Sequence, residues 1–107
     1  MTIKLRTKRL DPVLKQIVQV MRAYEEPHPQ AQIEVYRHNS VSVRIRVINR
    51  EFKGLSRAQR EEDLWAVLSR LPEDAAAEVS LLLLLTPEEA KKSFASFEFD
   101  NPIPSKL

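Results

Sequence analysis

The sequence VSVRIRV, residues 41–47, alternates apolar and polar side chains without a break. Side chains of a β-strand point to opposite faces in turn, so this pattern predicts a strand with one buried face. Residues 32–36 repeat the alternation, and the polar break at 37–40 predicts that the two runs form a hairpin. The face opposite the core would turn these side chains to solvent or to a partner: Tyr36, Ser42, Arg44 and Arg46.

Helices are predicted on both sides of this hairpin. Asp11 and Pro12 form a typical helix start, because the carboxylate caps a backbone N–H and proline suits the first helical position. Ser56, with Gln59 three residues later, predicts a second helix that begins with a capping box. Thr86, followed by proline and two glutamates, predicts the start of a third.

The run from Val79 to Leu85 predicts a third strand, although its leucines occupy both faces. That composition is typical of a strand covered on both sides, as in parallel pairing across a helix. We expect the C-terminal phenylalanines or a second subunit to cover its second face. The predicted fold class is α+β: a three-stranded mixed sheet packed by helices, in the order α-β-β-α-β-α. The second strand would pair antiparallel with the first and parallel with the third.

Length and composition bound the function. The 107 residues predict one domain over residues 1–107, with a basic N-terminal arm or short added strand at 1–9 and a tail at about 97–107. The absence of Cys and the single Gly exclude thiol chemistry, Cys-based metal sites and glycine-rich phosphate loops. The longest apolar run, residues 81–85, is far shorter than a membrane span. We therefore expect a cytoplasmic protein without a membrane partner.

No arrangement of residues points to catalysis. The two histidines, His28 and His38, fall in predicted loops away from any serine–aspartate pattern. Paired carboxylates at 61–62 and 88–89 fall in or near first helical turns, where they complement the helix dipole. No spacing resembles a zinc, calcium or magnesium site. We expect no enzymatic activity, no catalytic residue, no metal and no cofactor.

The basic residues are unevenly distributed. Residues 1–60 carry 13 Lys and Arg against 5 Asp and Glu, whereas residues 61–107 carry 4 against 10. Two arginines of the predicted second strand would lie about 7 Å apart on one face, close to phosphate spacing along a nucleic-acid strand. An ordinary solvated face is one interpretation, and a nucleic-acid site is the alternative. Such a site would use these residues: Arg37, Arg44, Arg46 and Arg50.

The segment from Val43 to Glu89 resembles the BolA-like family. After a strand that ends at Ile48, the chain reads Phe52-x-Gly54-x-Ser56-x-x-x-Arg60. The helical sequence LWAVL at 64–68 follows, and then a strand that leads into TPEE at 86–89. The resemblance implies the α-β-β-α-β-α order of that family, whose fold is KH-like. The chain, notably IEVYR at 33–37, is also similar to short uncharacterised cyanobacterial proteins, a likeness that implies no activity.

The same resemblance implies a possible iron–sulfur role. BolA-like proteins share a cluster with glutaredoxin through a His before the last strand. Counted back from Thr86, that position holds Glu78 here, and a carboxylate is a poor substitute for imidazole. The loop of the family's second ligand contains only His38, which is thus the candidate loop ligand. KH domains bind nucleic acid through a Gly-x-x-Gly loop, which the single Gly54 cannot form.

Together these patterns favour a non-catalytic protein-binding or adaptor domain. Its partner would be a protein, and a second copy of the chain is one candidate. Nucleic-acid binding through the four arginines is the first alternative, and a glutaredoxin-linked iron–sulfur role is the second. A homodimer would use the apolar surface of the third strand and the C-terminal phenylalanines: Leu81–Leu85, Phe94, Phe97 and Phe99.

Overall fold

A computed structural model describes residues 2–6 and 11–103, so residues 1 and 7–9 of the predicted arm and 104–107 of the predicted tail lie outside the described residues. The chain forms strands and helices in alternating groups, with a short 3-10 turn at Arg50–Phe52. The elements are β1 (Thr2–Leu5), α1 (Pro12–Glu25), β2 (Gln32–Asn39), β3 (Ser42–Ile48), α2 (Arg57–Leu68), α3 (Glu73–Ala77), β4 (Val79–Leu85), α4 (Pro87–Lys92) and α5 (Phe94–Asp100).

The fold class is α+β with a mixed sheet, as predicted, but the sheet has four strands in the order β1-β2-β3-β4. The predicted pairings of the hairpin and of the leucine strand are confirmed, because β2 pairs antiparallel with β3 and β3 pairs parallel with β4. The additional strand is β1, which pairs parallel with β2. It places Ile3 opposite Ile33 and Leu5 opposite Val35. Four residues were too short a pattern to separate an added strand from an arm.

The core lies between one face of the sheet and helices α1 and α2. The alternation of β3 places Val43, Ile45 and Val47 on this face, and all three are fully buried. The helix caps follow the sequence: Asp11 Oδ1 accepts from the Leu14 N–H at 2.9 Å, and Ser56 and Gln59 form a capping box. The other large, fully buried side chains of this core come from the two helices, β2 and the 3-10 turn: Leu14, Ile17, Met21, Leu64, Leu68, Ile33, Val35 and Phe52.

The second face of the sheet is covered by α5. Phe99 is fully buried and packs edge-on against Tyr36, with ring centroids 4.8 Å apart. Tyr36 and Arg46 are each only 6% exposed, so the prediction that both face solvent is wrong. The reason is the C-terminal segment: the chain predicted to become a tail at about residue 97 stays helical to Asp100.

Strand β4 lies at the edge of the sheet. It is less buried than predicted from its leucines, which indicated a strand covered on both faces. Only Leu84 is buried on this strand, and the other leucines are half-exposed. A register shift beside Val79 makes Ser80 an extra residue relative to β3. Within residues 2–6 and 11–103, no helix has the length and apolar character needed to cross a membrane.

Candidate functional site

The long edge of β4 opposite β3 pairs with no other strand of the described chain. The Asn49 N–H donates to the Leu85 carbonyl at 2.9 Å, so the backbone of Leu85 faces β3. Backbone groups of a strand alternate between its two edges. Leu83 therefore also faces β3, whereas Leu82 and Leu84 direct their N–H and C=O groups outward. The Leu84 carbonyl accepts one hydrogen bond from Arg60 at 3.0 Å and keeps its second lone pair. With that pair and the other outward groups, another extended chain can extend the edge by hydrogen bonding.

Leucine side chains surround this edge on both faces of the sheet. Leu82 and Leu84 are paired with Ile45 and Val47, and so lie on the side of α1 and α2. The odd-numbered leucines from 81 to 85 lie on the side of α5. The edge forms the floor of an open groove of about 680 Å³. Its walls come from the start of α2 and from the segment that joins α4 and α5: Leu55, Arg57, Arg60, Glu61, Glu89, Lys92, Ser93 and Ala95.

Arg60 fixes the end of the groove nearest Leu85. Its guanidinium donates to the carbonyls of Leu55 at 3.1 Å and Leu84 at 3.0 Å, and binds Glu89 at 2.6 Å. The hydrogen bonds from Arg60 and from the Thr86 backbone lower the pKa of Glu89 from 4.5 to about 2. Arg60 also lies over the Phe52 ring at 5.5 Å. This end of the groove is thus bounded by the Arg60–Glu89 ion pair, whose charges neutralise each other and which is fixed in place by hydrogen bonds to the backbone.

Two phenylalanines of α5 are exposed. Phe94 is 82% exposed and lines a depression next to Ser80 and Leu81, at the beginning of β4. Phe97 is 65% exposed, and it is not among the residues that line this depression or the groove. Of the three predicted phenylalanines, Phe99 covers the sheet, and only the other two offer apolar surface.

Arg44 and Arg46, predicted as an exposed basic row, are turned toward carboxylates of the chain itself. Arg44 Nη1 binds Glu98 at 2.9 Å and donates to the Tyr36 hydroxyl at 3.2 Å. Arg46 Nη2 lies 2.8 Å from Glu34 and 3.0 Å from Asp100.

The same ion pairs shift the pKa values of the carboxyl groups that bind Arg46. Burial raises the pKa of Glu34, but hydrogen bonds from Arg46 and Arg6 outweigh it and hold this pKa below its usual range. Asp100 behaves alike: burial raises its pKa, and the Arg46 guanidinium lowers it further than burial raises it. Both carboxylates therefore remain charged partners of Arg46 at neutral pH.

The other two predicted arginines do not join that row. Arg37 is paired opposite Val43 and so lies on the other face of the sheet from Arg44. It binds Asp11 at 2.7 Å and Glu78 at 2.9 Å, and the hydrogen bond from Arg37 lowers the pKa of Asp11. Arg50 is exposed in the 3-10 turn after β3. The four arginines therefore do not form one continuous basic surface.

The candidate iron–sulfur residues are also placed by the structure. His38 is half-buried, contacts the edge of the Tyr36 ring and lines the depression beside Phe94. Glu78, at the position of the family's His, binds Arg37. In the described part of the chain, no group of three or more His, Cys, Asp or Glu residues has a metal-binding arrangement.

Comparison of the chain with protein-family models, curated proteins and solved structures finds no match. The resemblance to the BolA-like family stays a prediction that rests on the residues between Val43 and Glu89.

Sequence reasoning found the leucine strand but missed the groove beside it. It interpreted the leucines as a strand covered on both sides, whereas β4 lies at the sheet edge. It also missed Arg60 as a boundary of the site. One signal was available: Arg60 directly follows the capping box of Ser56 and Gln59, and Glu89 closes the capping box of Thr86.

Proposed function

We propose that this protein is a non-catalytic protein-binding module that docks an extended segment of a partner polypeptide along the open edge of β4. The observation that supports this proposal is the outward backbone of Leu82 and Leu84 on the floor of a leucine-lined groove. An extended peptide gains affinity from main-chain hydrogen bonds to such an edge and specificity from side-chain pockets.

The composition of β4 supports a binding role. Edge strands that do not bind partners are usually protected by lysines, prolines or inward-pointing charges. From Val79 to Leu85 the strand carries no charge and no proline, and its irregularity is confined to Ser80. An apolar edge of this kind is expected to be covered in the working protein.

The charges around the groove favour a polypeptide over a nucleic acid. The rim carries three cations and two anions, and the Arg57–Glu61 and Arg60–Glu89 pairs join four of these five groups. A nucleic-acid site instead concentrates cations that are available to phosphates. The neutralised rim matches an apolar or weakly charged segment.

A peptide titration tests this function. The probe is a peptide with the sequence of residues 79–85 flanked by lysines for solubility, added to dye-labelled protein at nanomolar concentration. The expected result is saturable binding to the wild-type protein. In Leu83→Lys the affinity for the peptide should fall by about tenfold or more, because a lysine on an edge strand opposes pairing. Val41→Lys is the matched control, since Val41 is an exposed apolar residue that does not line the groove.

A probe peptide with proline at the positions of Leu82 and Leu84 provides a second control. It retains an apolar character but lacks the N–H groups that strand pairing requires. We expect it not to bind. If the unmodified peptide does not bind, or if Leu83→Lys binds it as well as the wild-type protein does, the proposed function is wrong.

A further inference from the structure

We infer that the segment docked on β4 is the β4 of a second copy of this chain, paired antiparallel about a two-fold axis through Leu83. This inference rests on the proposed function and names its partner. The two sheets would join into one continuous sheet, with α5 of both copies on the same face.

The directions of the backbone groups select the register. In an antiparallel pair, directly opposite residues exchange both hydrogen bonds or neither, in alternation. With the axis at Leu83, Leu82 lies opposite Leu84 of the second copy, and Leu84 lies opposite its Leu82. Every outward N–H of one copy then meets an outward C=O of the other, and the Leu84 carbonyl accepts from Arg60 and from the second copy through its two lone pairs. Leu83 faces its own equivalent as a pair without hydrogen bonds.

Neighbouring registers leave outward groups without partners. An axis at Leu82 places Leu84 opposite Ser80, which belongs to the bulge and whose hydroxyl donates to the Val43 carbonyl at 3.4 Å. An axis at Leu84 places Leu82 opposite Thr86, whose N–H already donates to Glu89 Oε1 at 2.9 Å. The register centred on Leu83 alone pairs the outward groups of both copies.

The side chains fit a second copy equally well. Residues 81–85 are all leucine, so every opposing pair in this register is leucine on leucine on both faces of the sheet. The half-exposed leucines of each copy would cover those of the other. A sequence that reads identically in both directions is suited to an isologous interface, in which one patch binds itself.

Charge and the exposed aromatic residue support the same occupant. Because four of the five charged groups on the rim are paired within the chain, two copies approach without strong repulsion. Phe94 lies beside Leu81, and Leu81 faces Leu85 of the second copy. The exposed Phe94 ring is therefore directed to the end of the neighbouring strand, where it extends the apolar contact.

Disulfide trapping tests the register, because the chain has no native Cys. Opposing residues of a pair without hydrogen bonds have Cα atoms about 4.5 Å apart, within the range of a disulfide. We expect Leu83→Cys to form a covalent dimer under mild oxidation. Val41→Cys, at an exposed site away from the groove, is the control and should stay largely uncrosslinked.

The mass of the native protein tests the dimer without substitution of the strand. Light scattering at micromolar concentration should give twice 12.4 kDa. Phe94→Ser should weaken the dimer roughly tenfold, as expected for the loss of a partly buried aromatic ring, whereas Phe97→Ser should not. Since both rings are exposed, neither substitution should reduce the thermal stability of the fold when it is measured at a concentration at which the protein is monomeric.

The outcomes separate this inference from the proposed function. A monomer that still binds the β4 peptide overturns the dimer and keeps the protein-binding function. A monomer that does not bind the peptide overturns both. A dimer that Leu83→Cys fails to crosslink contradicts the antiparallel register about Leu83.

Discussion

The sheet face beneath α5 and the outer edge of β4 both carry groups that need a partner. The two regions differ in whether the described chain supplies it. Beneath α5, the buried Arg46 guanidinium is matched by Glu34 and Asp100, and the Phe99 ring covers it at 4.7 Å. At the edge of β4, the leucines other than Leu84 are only partly buried, and no strand of the described chain pairs with the outward backbone groups, of which the Leu84 carbonyl accepts from Arg60. The described residues supply partners for the charged face but no strand for the apolar edge.

This difference separates stability from binding. Arginines that looked like a binding surface in the sequence hold the C-terminal helix on the sheet. The leucines that looked like interior residues form the surface on which we propose that a partner docks. Substitutions on the two regions should therefore have different effects, and the following predictions test that separation.

The largest effect is expected beneath α5. Arg46→Met removes the more buried of the two arginines that Glu34 and Asp100 share, and leaves both carboxylates with Arg6. Hydrogen bonds to charged groups contribute about 1.5–3 kcal/mol, so the free energy of unfolding should fall by about that amount in urea titrations. Arg57→Met removes an exposed pair and should change it by less than about 1 kcal/mol. Equal effects of the two substitutions would contradict the structural role of Arg46.

A smaller, pH-dependent effect is expected from Glu89. Its pKa is about 2 in the folded protein against 4.5 ordinarily, so its contribution to stability is complete above pH 4.5 and disappears as the pH falls to about 2. Glu89→Gln should lower stability at neutral pH and flatten its pH dependence across that range. Thermal unfolding at several pH values measures this, with Glu88→Gln as the control. An unchanged slope in Glu89→Gln would contradict the Arg60–Glu89 pairing.

The smallest effect is expected with nucleic acids. Arg44 and Arg46 already bind carboxylates of the chain, so their guanidinium groups are not available to the phosphates of a nucleic acid. Single-stranded and double-stranded oligonucleotides should show no measurable anisotropy change at low salt. Binding that weakens steeply as salt rises would instead support the nucleic-acid alternative.

Local patterns predicted most of the fold. The alternation at 41–47 and the capping residues Asp11 and Ser56 act over a few neighbouring residues, so the sequence shows them directly. Strand β1 and the cover formed by α5 depend on contacts between distant segments. Arg46 and Asp100, for example, are 54 residues apart in the chain. No local pattern shows such a pair.

The candidate site was only half predictable for the same reason. The leucine run indicated a strand, but its place at the sheet edge depends on where the helices and the C-terminal segment pack. The backbone directions of Leu82 and Leu84 follow from the pairing with β3, which the sequence does not contain. The side chains show that the strand is apolar, but they do not show which main-chain groups point away from β3.

Amide hydrogen exchange along β4, measured by NMR, tests the role of this edge most directly. The amides of Leu83 and Leu85 should exchange slowly under all conditions, because they face β3. The amides of Leu82 and Leu84 should become protected as the protein concentration rises or the β4 peptide is added, and should exchange fast in Leu83→Lys. Fast exchange of Leu82 and Leu84 at every concentration, with or without the peptide, would contradict a binding role for β4.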